Sequence, residues 1–198
     1  MTAANKITLL RILAIPVFVT LAVYYGSGVQ VGHPREWQRV AAIAVFALAA
    51  ASDALDGFVA RHFNQRTRLG LILDPLADKG LLLSAIVTLS FSNWHYEFPL
   101  WFPILVVSRD AVVVLGALLI HHFNGKVAVR PSWTGKTATV LQMAAIIAAM
   151  LQLNQLSFPP FTWMSGLVAA AGLLTLVSGI GYVIDGIRQL QAGGHTSV

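Results

Sequence analysis

The chain has 198 residues, 57% of them hydrophobic and 11% charged. Soluble domains carry roughly 25% charged residues, so the composition points to a membrane protein, and the length suits a single helical domain over residues 1–198. The net charge of +5 suits loops that border membrane spans better than a nucleic-acid partner, and the absence of cysteine excludes disulfides and thiolate zinc sites.

Each span needs about 20 residues. Residues 1–6 are a short polar start. The first span runs from about Ile7 to Tyr25, with Arg11 near its beginning and Pro16 inside it, where a kink is expected. It lacks a small-residue cleavage site and therefore reads as a retained span, not a signal peptide. A polar loop over Gly26 to Gln38 follows, holding Pro34, Arg35 and Glu36. Span two covers about Arg39 to Arg61, and a basic turn with His62, Arg66 and Arg68 leads into span three, about Leu69 to Phe91. The Ser92 to Glu97 loop has no Lys or Arg. Span four covers about Phe98 to Ile120, and a basic loop then holds His121, His122, Lys126 and Arg130. Spans five (about Trp133 to Leu153) and six (about Phe161 to Ile187) complete an all-α integral membrane bundle of six transmembrane helices.

Basic residues gather at the N-terminus, the 2–3 turn, the 4–5 loop and Arg188, which puts both termini and that turn in the cytoplasm; Arg35 and Arg39 are the exceptions. Tyr24, Tyr25, Trp94, Tyr96, Trp101, Trp133 and Trp163 lie near span ends and read as interfacial anchors. Neighbouring helix residues diverge by about 100°, so His121 and His122 read as a solvated loop end. Asp185 and Arg188, at i,i+3, are read as a solvated helix end.

Four of the eight acidic residues lie between Asp53 and Asp78, in sequence otherwise apolar enough to cross a bilayer. Intramembrane carboxylates are expensive and therefore functional candidates. Asp53 and Asp56 are spaced i,i+3, and Asp74 and Asp78 i,i+4, so each pair shares a helix face. The connecting turn is centred near Gln65. An antiparallel hairpin about that point brings all four to a similar depth, roughly 10 Å below the cytoplasmic surface at 1.5 Å rise per residue. Four such anions require protons or bound cations, and an all-oxygen set suits Mg²⁺, Mn²⁺ or Ca²⁺. Two metals on shared carboxylates would suit phosphoryl chemistry. Gly57, Ala60 and Gly70 allow close approach of the facing helices, and Arg61, Arg66 and Arg68 stand at the cytoplasmic mouth, suited to a phosphate-bearing headgroup.

Together these residues spell D-x2-D-G-x2-A-R-x8-G-x3-D-x3-D, matched at all its fixed positions. The pattern resembles the defining motif of the CDP-alcohol phosphatidyltransferases, and the six-helix plan resembles that family over essentially the whole chain. Asn5, Thr8 and Arg11 resemble the N-x-x-T start of its first helix. Pro131 to Lys136 resembles the start of the fifth helix in the phosphatidylglycerophosphate and cardiolipin synthase branches.

The resemblance implies a membrane enzyme that moves a phosphatidyl group from CDP-diacylglycerol to a glycerol-type acceptor and releases CMP. It implies that Asp53, Asp56, Asp74 and Asp78 hold Mg²⁺ or Mn²⁺ in a two-metal site, with Asp78 also the general base. It implies a CDP-lipid site of Asp53, Asp56, Gly57, Arg61, Thr67 and Gly70, closed by Asn5 and Thr8. It implies an inner-membrane, multi-pass enzyme with its active site at the cytoplasmic ends of helices 2 and 3, and a homodimer. Arg109 and Lys136 are candidates for the acceptor phosphate, although Arg109 is equally suited to pair with a motif carboxylate. Glycerol 3-phosphate, giving phosphatidylglycerophosphate, is the expected acceptor; the Arg109-Asp110 pair departs from the Arg-Glu of phosphatidylglycerophosphate synthases toward eukaryotic-type cardiolipin synthases, so phosphatidylglycerol stands as the alternative. Two other classes compete: a small cation-coupled transporter using the four Asp as its ion site, and an aspartate-rich intramembrane prenyltransferase.

Overall fold

The computed structural model describes the backbone of residues 3–63, 68–124, 133–153 and 162–193, and the side chains of residues 8–52, 77, 79–120, 133–153 and 163–188. Among these residues the chain is all-helical: α1 (Ala3–Gln30), α2 (Glu36–Phe63), α3 (Arg68–Phe91), α4 (Trp101–Asn124), α5 (Trp133–Met150) and α6 (Thr162–Gly193). Among the described residues, three segments are long and apolar enough to cross a membrane: Thr8–Gln30, Trp101–Ile120 and Trp163–Arg188. Two compact units emerge, Met1–Phe98 with Ile146–Ser157, and Pro99–Ala145 with Phe158–Val198.

In the first unit α1 packs against both α2 and α3, which also touch one another. The reason is a stripe on α1. Thr8, Arg11, Phe18, Ala22 and Tyr25 are buried, at steps of three, four or seven that keep one face turned inward. Phe18 meets Phe46 of α2 with ring centroids 5.6 Å apart. The opposite face of α1 carries Leu10, Leu13 and Tyr24, each more than 60% exposed. Apolar side chains turned outward at that level suit a lipid solvent. In the second unit α4 packs against α6, while Leu115 and Leu118 of α4 and Leu173 of α6 are similarly exposed.

Polar side chains inside these helices largely satisfy themselves. The hydroxyls of Thr20, Ser52, Ser84, Ser90, Ser92 and Ser108 each donate to a carbonyl three or four residues earlier. That local bonding is what lets hydroxyls reside in an apolar segment.

Several expected boundaries move. The loop expected over Gly26 to Gln38 is largely helix: α1 continues to Gln30 and α2 begins at Glu36. Gly26 and Gly28 act here as close-contact residues. A methyl group on Gly26 would overlap the Ser92 carbonyl, and one on Gly28 would lie 3.1 Å from the His33 oxygen. The true stop is Gly32 (φ +78°). His33 N–H donates to Gly28 O at 2.9 Å and Gly32 N–H to Val29 O at 3.1 Å, the paired bonds of a Schellman cap. α1 runs through Pro16 without a break in helix. α4 starts at Trp101 instead of Phe98, and α6 continues to Gly193 beyond the expected end.

Candidate functional site

Three of the sequence-derived site residues have described side chains: Thr8, Arg109 and Lys136. Asn5, Asp53, Asp56, Gly57, Arg61, Gly70, Asp74 and Asp78 are placed by helical backbone alone, and Thr67 lies outside the described residues. His121, His122 and Arg66 are also outside the described side chains.

The helix register of the first unit locates the acid-bearing segments. On α1 and α3, a methyl at Gly80 would meet Ile15, and one at Gly26 would meet Ser92. These helices therefore run parallel, with an offset of 65 to 66 residues. Carried back to Arg11, that offset reaches positions 76–77, and from Thr8 it reaches 73–74. On α1 and α2 the order is reversed: Tyr25 Oη donates to Glu36 Oε1 at 3.4 Å, and Phe18 stacks on Phe46. Continued along antiparallel helices, Arg11 comes level with positions 50–53 and Thr8 with 53–56. Continued at these registers, the backbone positions of Asp53, Asp56 and Asp74 fall at the level of Thr8 and Arg11, with Asp78 one residue beyond.

At that level α1 supplies two fully buried polar side chains. Thr8 is 0% and Arg11 1% exposed, and both are engaged with neighbours. A guanidinium sealed inside a membrane-type helix requires an anionic or strongly accepting partner. Sequence reasoning placed Thr8 at the site but gave Arg11 no role there. The signal was present in the spacing, because Arg11 follows Thr8 by one helical turn on the inward stripe.

The second unit holds Arg109. Its Nη1 donates to Asp110 Oδ1 at 2.6 Å and its Nη2 to Ser178 Oγ at 3.1 Å. The guanidinium also lies 5.3 Å from the Tyr182 ring centroid. Gly179 makes room for it, since a Cβ there would lie 3.3 Å from Arg109 Cγ. Asp110 therefore neutralises Arg109 locally, and α6 holds it. Ser178, Gly179 and Tyr182 were missed from sequence, although Thr175, Ser178 and Tyr182 recur at i, i+3 and i+7 in an otherwise apolar span. One turn below, the buried Gln142 donates to Thr175 Oγ1 at 2.7 Å. Lys136 is exposed and stands over the Trp133 ring, 5.6 Å from its centroid.

Two expected anchors are corrected. Tyr25 is 0% and Trp94 4% exposed, and their rings meet at 4.7 Å. Trp94 Nε1 donates to the Ala22 carbonyl at 3.0 Å. They are core residues because each finds a polar partner inside the unit. Tyr24, Trp101, Trp133 and Trp163 do remain exposed. Asp185 and Arg188 are exposed and 3.9 Å apart.

The model of the CDP-alcohol phosphatidyltransferase family matches residues 1–179, a range that includes both acidic pairs and Arg109. The chain belongs to the CDP-alcohol phosphatidyltransferase family. It is 36% identical over 188 residues, 94% of this chain and 82% of the relative, to a Mycobacterium tuberculosis (strain H37Rv) protein named probable phosphatidylglycerophosphate synthase. It is 33% identical over 183 residues, 89% of this chain and 90% of the relative, to the CDP-diacylglycerol--glycerol-3-phosphate 3-phosphatidyltransferase of Escherichia coli K12. A relative of the same name from Blochmanniella floridana is 33% identical over 89% of this chain. The protein is thus an enzyme of phosphatidyl transfer, which decides against the transporter and prenyltransferase alternatives.

Proposed function

We propose that the enzyme transfers the phosphatidyl group of CDP-diacylglycerol to glycerol 3-phosphate, giving phosphatidylglycerophosphate and CMP. The observation that supports this reading is the packing of α1 on both α2 and α3, whose register, continued along helical backbone, brings the two acidic pairs to neighbouring levels. The acceptor comes from the relatives named above, whose names specify transfer to glycerol 3-phosphate. The Arg109-Asp110 pair, which pointed toward phosphatidylglycerol, is in this reading a local charge pair compatible with either acceptor.

An all-oxygen donor set of Asp53, Asp56, Asp74 and Asp78 fits a hard divalent cation, Mg²⁺ or Mn²⁺, and four acids are enough for two ions. Bound there, the cations would neutralise the diphosphate and the charge that develops during transfer. The chain's own residues do the rest. Arg61, Gly57, Gly70, Thr67, Asn5 and Thr8 bind the cytidine diphosphate end. Asp78 takes the proton of the acceptor hydroxyl. The acceptor oxygen then bonds to the phosphorus that carries diacylglycerol, and the diphosphate P–O bond breaks to release CMP. Arg109 and Lys136 are the candidate ligands for the acceptor's phosphate.

In this reading the protein is a single multi-pass domain of the inner membrane with six spans, supported by a family match that runs through both compact units. Both termini and the acidic layer face the cytoplasm. Arg39, one of the two exceptions to the charge rule, is paired with Glu36 at 2.8 Å. The homodimer rests on the family resemblance. Product analysis tests the acceptor: purified enzyme given CDP-diacylglycerol should make phosphatidylglycerophosphate from glycerol 3-phosphate and no cardiolipin from phosphatidylglycerol. Cardiolipin as the sole product would overturn the choice.

A further inference from the structure

The acidic layer carries more negative charge than a membrane interior tolerates, and the chain must fold before any cation can bind there. Arg11 is the one cation among the described side chains of the first unit that is fully buried, at 1% exposure. It lies on α1, the helix that α2 and α3 both pack against. The register along α1 and α3 sets it level with positions 76–77, between Asp74 and Asp78. The register along α1 and α2 sets it level with positions 50–53, beside Asp53. Its side chain is engaged. Thr8, one turn earlier on the same buried stripe, occupies the level of Asp74 and of Asp53 to Asp56.

We propose that Arg11 is a built-in counter-cation of the aspartate layer, a positioning residue that keeps α2 and α3 docked on α1 before the divalent cations arrive. A buried guanidinium next to carboxylates is strongly favoured over either charge alone in the same place, so each holds the other in the membrane. Its fixed planar fork can serve two acids on different helices at once, which a lysine ammonium does less specifically. The inference rests on the reading of the four Asp as the cation and diphosphate site.

A double-mutant cycle on the metal-free protein tests it, with thermal unfolding in detergent and chelator as the readout. Arg11→Met should lower Tm by roughly 10 °C, the size expected when a buried pair is broken in a chain of this length. The same substitution should cost less than half as much in at least one of the backgrounds Asp53→Asn, Asp56→Asn, Asp74→Asn or Asp78→Asn. If Arg11→Met does not fold, Arg11→Lys replaces it in the cycle and should show the same background dependence. Equal loss in all four backgrounds would overturn the proposal and leave Arg11 an ordinary structural side chain. Titration of the wild-type protein with Mn²⁺, read by its paramagnetic resonance, separates the two levels of the argument. No Mn²⁺ binding sinks the reading of the aspartate layer, whereas binding without Arg11 coupling sinks only the counter-cation.

Discussion

Gln152 Nε2 donates to the Tyr25 hydroxyl at 2.8 Å, tying the end of α5 to the last residue of the buried α1 stripe across 127 residues of chain. Gln152 sits in the left-handed region (φ 57°), where a side chain other than glycine is strained. Its N–H still closes the helix end by donating to Ala149 O at 3.0 Å. The side-chain bond therefore offsets a backbone cost. Tyr25→Phe should lose about 1–2 kcal/mol of stability, as expected for an unmet buried partner. Gln152→Ala should lose a similar amount, and Gln152→Gly less, because glycine relieves the strain. Thermal unfolding in detergent measures all three.

Gly26 offers a sharper contrast. A Cβ there would collide with the Ser92 carbonyl, which is backbone and cannot swing away. Gly26→Ala should abolish the folded protein or shift α1 against the α3 end, seen as lost monodisperse elution. Gly116→Ala in α4 and Gly166→Ala in α6 meet nothing within 4 Å. Those two should be neutral or stabilising by about 0.5–1 kcal/mol, the helix-propensity gain.

The sequence made the helices legible because hydropathy blocks of span length are separated by polar turns, and it made the four Asp legible because charge is rare in such blocks. It misjudged Gly26 and Gly28, since a glycine in an apolar helix looks like a break until the neighbour that needs the space is seen. Tyr25 and Trp94 looked like interfacial anchors because position along the chain does not reveal which face of a helix is turned inward. The hold of Ser178 and Tyr182 on Arg109 was equally hidden, being a contact across 69 residues of sequence.

That hold yields a kinetic prediction. If Arg109 receives the acceptor phosphate, Arg109→Ala should raise the KM for glycerol 3-phosphate by about ten- to a hundredfold, the worth of a charge-assisted bond. The KM for CDP-diacylglycerol should change little. Gly179→Ala, which presses on Arg109 Cγ from 3.3 Å, should move the same constant by a smaller factor. Unchanged acceptor KM in Arg109→Ala would return the residue to a helix-packing role.

Topology can be read cleanly because the chain contains no cysteine. Single substitutions His33→Cys, in the turn after α1, and Ser197→Cys, near the C-terminus, should label from opposite sides of the membrane with a reagent that does not cross it. Position 197 should react from the cytoplasmic side. Labelling of both positions from one side would contradict the six-span arrangement.

Acceptor-dependent CMP release from CDP-diacylglycerol, compared between the purified wild-type enzyme and Asp78→Asn, tests the central claim most directly. With Mg²⁺ or Mn²⁺ and glycerol 3-phosphate, the wild type should release CMP, and chelation should stop the release until metal is restored. Asp78→Asn should lose about 10²- to 10⁴-fold in rate, the contribution of a positioned general base. CMP release undiminished in Asp78→Asn, or absent from the wild type with every acceptor, would contradict the account.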